Sequence, residues 1–189
     1  MSHTAKIILA SGSPRRKDLL EEAGYDFEII KPDVVELDDP AIPIRSLTAQ
    51  NAKLKGEKVA TEISDGIIIA ADTLVLLDDR PLGKPEDQAE AKAMIRSLNG
   101  RTHQVYTAVC LIDASSGAVV EFDDVTDVTF KNLSDDELDH YHSLIDPMDK
   151  AGAYAAQDHG TLIIEKTAGS LTNVIGLPME RLIEELGKF

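Results

Sequence analysis

The run Gly66-Ile67-Ile68-Ile69-Ala70-Ala71 constrains the fold more than any other stretch of the chain. It is apolar at every position and does not alternate, as expected of a strand covered on both faces. Covering both faces takes helices on both sides, and helical patterns alternate with strands through the first half. Residues 6–10 and 26–31 read as strands around a helix over 14–23, stopped by Gly24, and a helix over 46–63 follows. The apolar run ends in Asp72-Thr73; Leu74 to Leu77 continue as strand to an Asp78-Asp79 turn. Ala91, Met94, Ile95 and Leu98 then repeat at i, i+3, i+4, i+7 in a helix stopped by Gly100.

The second half reads differently. Strands over 103–113 and 117–131, joined by Ser115-Ser116-Gly117, form an antiparallel hairpin. Ser134 and Glu137 make a capping box, with Leu133 and Leu138 as its staple, so a helix runs from 134 to about 145. Tyr154 and residues 161–166 suggest more strand, and a last helix carries Met179, Leu182, Ile183 and Leu186 on one face. The fold class is α/β, with a mixed, partly antiparallel twisted sheet flanked by helices. Neither a Walker A motif nor GxGxxG is present, which removes support for a P-loop or dinucleotide fold.

Chemistry is concentrated in a few places. Behind the first strand lies Ser11-Gly12-Ser13-Pro14-Arg15-Arg16-Lys17: a small turn, a proline suited to a first helical position, then three cations. Backbone N–H groups and the positive end of a helix there make an anion site, and three cationic side chains suit phosphate oxygens. Taken alone, the same residues fit an ordinary strand-turn-helix junction with solvated cations. Against this cluster the 189-residue chain carries 34 Asp and Glu to 19 Lys and Arg, a net charge of −15. Such a field repels nucleic acid and anionic lipid, so an anionic ligand has to find a local basic pocket. The single cysteine, Cys110, sits in an apolar run and has no internal disulfide partner, which points to a reducing cytoplasm. No signal peptide, bilayer-spanning stretch, repeat or low-complexity tract is expected.

Asp72 is the sharpest candidate, because a carboxylate at the end of a buried apolar strand is costly unless paired, solvated or metal-bound. It would orient and deprotonate a water or hold a divalent ion; the alternative is a turn cap. A free aspartate is a weak base at neutral pH, and a metal that acidifies water makes the step easier. Thr73 adds a hydroxyl, Lys55 and Lys84 are either phosphate contacts or surface lysines, and Glu36 would join Asp72 on a metal. His140 and His142, two apart on a helix, do not form a zinc pair. No G-x-S-x-G elbow is present, and apolar surroundings argue against Cys110 as nucleophile. In Asp149-Lys150-Ala151-Gly152-Ala153-Tyr154-Ala155-Ala156-Gln157, small residues allow close backbone approach and Gln157 offers a donor and an acceptor on one plane.

Together these segments resemble the Maf family of nucleoside triphosphate pyrophosphatases, once called septum formation inhibitors. The motifs are Leu9-Ala10-Ser11-Gly12-Ser13-Pro14-Arg15-Arg16, Ala71-Asp72-Thr73, Gly83-Lys84-Pro85, Gly100-Arg101-Thr102-His103 with Thr107-Ala108-Val109, Asp149-Lys150-Ala151-Gly152-Ala153-Tyr154, and Gly176-Leu177-Pro178. The resemblance implies a Maf/ITPase-like fold, one domain over 1–189 with two lobes around a central cleft, a homodimer and a cytoplasmic setting. It implies hydrolysis of a nucleoside triphosphate between the α and β phosphates with a divalent cation, Mg or Mn. Asp72 matches the family's proton acceptor. Arg15, Thr73 and Gln157 match positions tied to substrate choice in the branch acting on dTTP and UTP. Ser11, Arg15, Arg16, Lys55 and Lys84 match the phosphate region, with Glu36 and Asp72 toward the metal.

The subgroup also has a chemical argument. Uracil and thymine present a ring N–H flanked by carbonyls, which an amide such as Gln157 pairs, whereas guanine's two donors suit a carboxylate. The branch resembling 7-methyl-GTP pyrophosphatases carries Glu there, and Ser-Phe where this chain has Ala153-Tyr154. The usual Gly-Ile before the Gln and Gly after it are replaced here by Ala155-Ala156 and Asp158. The expectation is a house-cleaning dTTP/UTP pyrophosphatase, with modified pyrimidine triphosphates as further substrates. The alternatives are a 7-methyl-GTP-type or inosine-type pyrophosphatase, a phosphatase, or a septum regulator acting by binding.

Overall fold

A computed structural model describes residues 6–39 and 41–189. In chain order the elements are β1 (Ile7–Leu9), α1 (Pro14–Glu22), β2 (Phe27–Ile29), α2 (Ile44–Ala60), β3 (Ile67–Leu77), β4 (Arg80–Leu82), α3 (Gln88–Leu98), β5 (Thr102–Asp113), β6 (Val119–Phe130), α4 (Asp135–Ser143), a 3-10 turn (Ala151–Ala153), α5 (Gly160–Ile163), β7 (Ile164–Ala168), α6 (Leu171–Ile175) and α7 (Met179–Leu186). All seven strands join one sheet in the order β2-β1-β3-β5-β6-β7, with β4 paired to β3. β1 runs parallel to both β2 and β3, and every other pairing is antiparallel. The sheet is therefore mixed, as the alternating first half and the late hairpin imply.

The apolar run becomes the first half of β3, and both of its faces are covered. On one face Ile69 and Ala71 pack with Leu19 and Leu20 of α1 and Met179 and Leu182 of α7. On the other, Ile68 and Ala70 pack with Ala52 and Val59 of α2. Gly56 lets α2 press close: a Cβ there would lie 3.1 Å from Ile112 Cδ1 and 3.3 Å from the Ala70 Cβ. A third cluster, at the far end of β3, gathers Val75, Leu77, Ile95, Leu98, Val128, Phe130, Leu138 and Tyr154.

Turn and cap signals are observed where the residues imply them. Gly24, Gly100 and Gly117 hold φ of 77°, 65° and 74°. Asp78 and Asp79, at φ 49° and 62°, make the two-residue turn between β3 and β4. Ser134 and Glu137 close the capping box on α4. Among the described residues no helix is long and apolar enough to cross a membrane.

Several expectations are corrected. Asp72 does not end a strand; β5 pairs with β3 from Ile67 to Leu76, so the strand continues through it. Residues 161–163 are a helical turn and only Ile164–Ala168 is strand, because Gly160 and the left-handed His159 break the extended pattern. Tyr154 lies outside any strand, its ring sunk in the third cluster. Ile183 turns outward, 48% exposed, while Met179 and Leu182 face the core. The helix expected over 46–63 is Ile44–Ala60, and β4 and α6 are short elements that no periodic pattern announced.

Candidate active site

The site follows from a gap in sheet pairing. β5 occupies one edge of β3 along nearly its whole length, so β1 and β4 must share the other. β1 covers Ile67 to Ile69 there and β4 covers Val75 to Leu77. Residues 70–74 lie in the notch between them, where β1 has left the sheet for the Ser11–Ser13 turn and α1. Strand alternation then divides the notch between two helices. Asp72 shares a face with Ile68 and Ala70 and meets α2, while Thr73 shares the opposite face with Ile69 and meets α1.

On the α2 side, Lys55 Nζ lies 2.7 Å from Asp72 Oδ1 and 3.0 Å from Glu36 Oε2. Lys55 and Asp72 are both buried, whereas Glu36 is 46% exposed. Burial works to raise the Glu36 pKa, but the charge and hydrogen bond of Lys55, with the charge of Lys84, hold it below the usual carboxylate range. The second oxygen of Asp72, Oδ2, is buried and has no hydrogen-bond partner among the described residues.

On the α1 side, the buried Arg16 guanidinium donates in three directions: Nε to the Gly176 carbonyl (2.8 Å), Nη1 to Ser11 Oγ (3.1 Å) and Nη2 to Thr73 Oγ1 (3.0 Å). Desolvation lowers its pKa, opposed by the charge of Asp72. The Thr107 hydroxyl donates to the Asn173 carbonyl, so the Thr73 hydroxyl, 2.9 Å from Thr107 Oγ1, must donate inward to it. Toward a ligand Thr73 is left as an acceptor. Arg15 reaches across to Asp149, Nη1 to Oδ2 at 2.8 Å and Nη2 to its carbonyl at 3.2 Å, and Lys150 holds the other carboxylate oxygen.

These groups line one cavity of about 620 Å³. Ser11, Arg15, Arg16, Glu36, Lys55, Asp72, Thr73 and Lys84 all face it, so eight of the nine expected site residues are brought together. Gln157 is the ninth: it is exposed and outside the lining. The cavity carries six cations (Arg15, Arg16, Lys31, Lys55, Lys84, Lys150) against four carboxylates (Glu36, Asp38, Asp72, Asp149), a basic pocket in an acidic chain.

Four lining residues were not anticipated in these roles. Asp149, Lys150 and Tyr154 belong to a motif visible in the sequence, although only Gln157 stood out there. Lys31 left no signal. It lines the cavity because β2 lies beside β1, so the chain leaving β2 passes the Ser11–Ser13 turn, and Gly12 leaves room for its stem: a Cβ there would meet Lys31 Cδ at 3.2 Å. Among the described residues, Arg16, Lys31 and Lys84 are the lining cations without a carboxylate within ion-pair distance, and of these Arg16 is already committed to Gly176, Ser11 and Thr73.

Among the described residues no three His, Cys, Asp or Glu side chains cluster as a ready metal cage. The donor set nonetheless fits a hard divalent cation of the Mg type, which takes one or two carboxylates and fills its shell with water and substrate phosphates. The orphaned Asp72 Oδ2, beside Glu36, is such a donor.

The fold and the site define an α/β protein whose anion-accepting cavity opens at a notch in its sheet. The family described as Maf-like protein matches residues 6–189, and the chain belongs to that family. It is 47% identical over 178 residues to the dTTP/UTP pyrophosphatase of Akkermansia muciniphila, covering 94% of this chain and 93% of that one. It is 45% identical over 188 residues to the dTTP/UTP pyrophosphatases of Bacillus cereus strain AH820 and of Bacillus anthracis, covering 97% of this chain and 95% of theirs. Among solved structures, the Staphylococcus aureus Ham1 protein overlays on 66% of this chain and 71% of its own, at a TM-score of 0.47 and 16% identity.

Proposed function

We propose that this protein hydrolyses dTTP and UTP to the monophosphate and pyrophosphate. The observation that carries the reading is the Asp72 carboxylate: Oδ1 is tied to Lys55 and Oδ2 is uncommitted, beside a basic cavity in a chain of net charge −15. Membership in the family and the names of relatives at 45–47% identity support it.

The triphosphate lies along Arg15, Lys31, Lys55 and Lys84. Lys31 and Lys84 bind without giving up a protein partner, whereas Arg15 shares its donors with Asp149. Water attacks the α-phosphorus in line with the leaving pyrophosphate, and Asp72 Oδ2 orients it and takes its proton. Cations held by the fold offset charge on the departing pyrophosphate, so placement and electrostatics carry most of the rate. Asp72 and Glu36 would hold a divalent metal, which when bound acidifies water and screens phosphate charge. Arg16 is committed to Gly176, Ser11 and Thr73, so it fixes the turn and the notch as well as adding charge.

The base lies toward Tyr154. Gln157, three residues further on, is exposed and outside the cavity lining, and three residues of chain span up to about 10 Å. It reads the pyrimidine edge by folding in over the bound base, with the Ala155-Ala156 pair setting how the loop turns.

The deciding assay incubates the protein with a panel of nucleoside triphosphates, with Mg or Mn and with EDTA, and separates pyrophosphate from orthophosphate. Pyrophosphate from dTTP and UTP, lost with EDTA, is the expected result. Orthophosphate would mark a phosphatase, a purine preference the other branches, and saturable binding without turnover a regulator.

A further inference from the structure

The stretch from Lys31 to Asp39 carries Glu36 over the cavity with little apolar burial: Val35 is 91% exposed and Leu37 41%. Such a stretch has no hydrophobic reason to hold one position. Among the described residues, the Lys55–Glu36 ion pair and one further side-chain contact hold its middle. Asn51, 2% exposed on α2, accepts from the Leu37 backbone N–H through Oδ1 at 2.8 Å and donates through Nδ2 to the Leu37 carbonyl at 3.0 Å. A side-chain amide thus reads one peptide residue at two points, as a neighbouring strand would. Asn and Gln offer that donor and acceptor side by side on one planar, uncharged amide.

Asn51 and Lys55 are one turn apart on the same face of α2. The first fixes the backbone of residue 37 and the second the carboxylate of residue 36. Asn51 also lines the cavity, but both arms of its amide are already taken by Leu37. It is therefore poorly placed to bind substrate and well placed to hold what does.

From this geometry we infer that Asn51 is a positioning residue, acting through the Leu37 backbone to hold the Glu36 carboxylate at the cavity. The inference rests on the pyrophosphatase reading for its catalytic consequence and on the tether alone for its structural one. Because Leu37 is half open to solvent, water can replace the lost bonds, so breaking the tether should free the segment without unfolding the chain.

Two variants test it, Asn51→Ala and Asn51→Leu, the second keeping volume while removing donor and acceptor. Hydrogen exchange at the Leu37 amide should quicken by about tenfold, the worth of one hydrogen bond, with α2 unchanged. Turnover of dTTP should fall in both variants. In a Glu36→Gln background the same substitutions should cost nothing further, since the group being positioned is already disabled. Equal losses in both backgrounds would overturn the inference, as would unchanged exchange at Leu37. A wild-type chain that released no pyrophosphate would remove the catalytic half together with the site reading, while exchange at Leu37 would still decide the tether.

Discussion

The Lys55 ammonium sits 2.7 Å from one oxygen of Asp72, while the other oxygen of that carboxylate is buried and has no hydrogen-bond partner among the described residues. The two oxygens therefore have different uses: one anchors the carboxylate, and the other is free to take a proton or a cation. Replacing Asp72 by Asn keeps the shape and an acceptor for Lys55 but removes the basic oxygen. The Asp72→Asn variant should lose about 10²- to 10⁴-fold in kcat, as for removal of a general base, with its circular dichroism spectrum unchanged. Near-full pyrophosphate release would discard the assigned role.

Arg16 donates to three acceptors on three separate segments, which a single ammonium does not reproduce. Arg16→Lys should destabilise the fold by about 2–4 kcal/mol despite keeping the charge, read as a lower urea midpoint at unchanged m. An unaltered midpoint would mean the three bonds are replaceable by water.

Lys31 and Lys84 face the cavity without a carboxylate partner among the described residues, so their charge is available to an incoming triphosphate. Lys31→Ala and Lys84→Ala should each raise KM about 5- to 10-fold with a smaller change in kcat, and the effect should shrink at high salt. Lys17→Ala, whose parent side chain pairs with Glu21 and stays outside the cavity, should leave KM alone.

His103 is buried against Phe130 and hydrogen-bonded to the Tyr154 hydroxyl at 2.8 Å. Desolvation lowers its pKa from 6.5 to about 4, with Asp127 opposing weakly. The unfolded chain then binds a proton that the folded chain refuses between those values, so stability falls as pH drops from 6.5 toward 4. The loss amounts to about 3 kcal/mol from this group. His103→Phe should flatten that part of the stability–pH curve in thermal melts, and an equally steep curve would assign the acid sensitivity elsewhere.

Gln157 is exposed and has no hydrogen-bond partner among the described residues, so its amide can meet a base. Gln157→Glu should reduce use of dTTP and UTP relative to guanine nucleotides, because a carboxylate cannot donate to their carbonyls and suits guanine's paired donors. An unchanged preference profile would mean that Gln157 stays outside the site and that the Tyr154 end of the cavity selects the base.

Much of the candidate site was legible because it is written in local chemistry. The Ser11 to Arg16 turn had to follow β1 and open a helix, and its glycine, proline and arginines are interpretable without knowing what lies opposite. Asp72 drew notice because an acid in an apolar strand is expensive wherever the strand goes. Lys31 and Asn51 carried no such mark. Nothing in a lysine after a short strand, or in an asparagine inside a helix, says that a loop will pass over it.

The amino-acid order alone determined the class of fold: an uninterrupted apolar strand demands cover on both faces, and a late hairpin makes the sheet mixed. It also singled out Ser11, Arg15, Arg16, Lys55 and Lys84 as candidates for a phosphate site, although not Lys31. Only the tertiary structure decided that β1 and β4 share one edge of β3 and leave residues 70–74 between them. That gap turns a buried aspartate into a reachable one, and it depends on pairing between segments far apart in the chain. Local propensity and side-chain periodicity report on neighbours within a few residues, so they contain no information about where a sheet edge is left open.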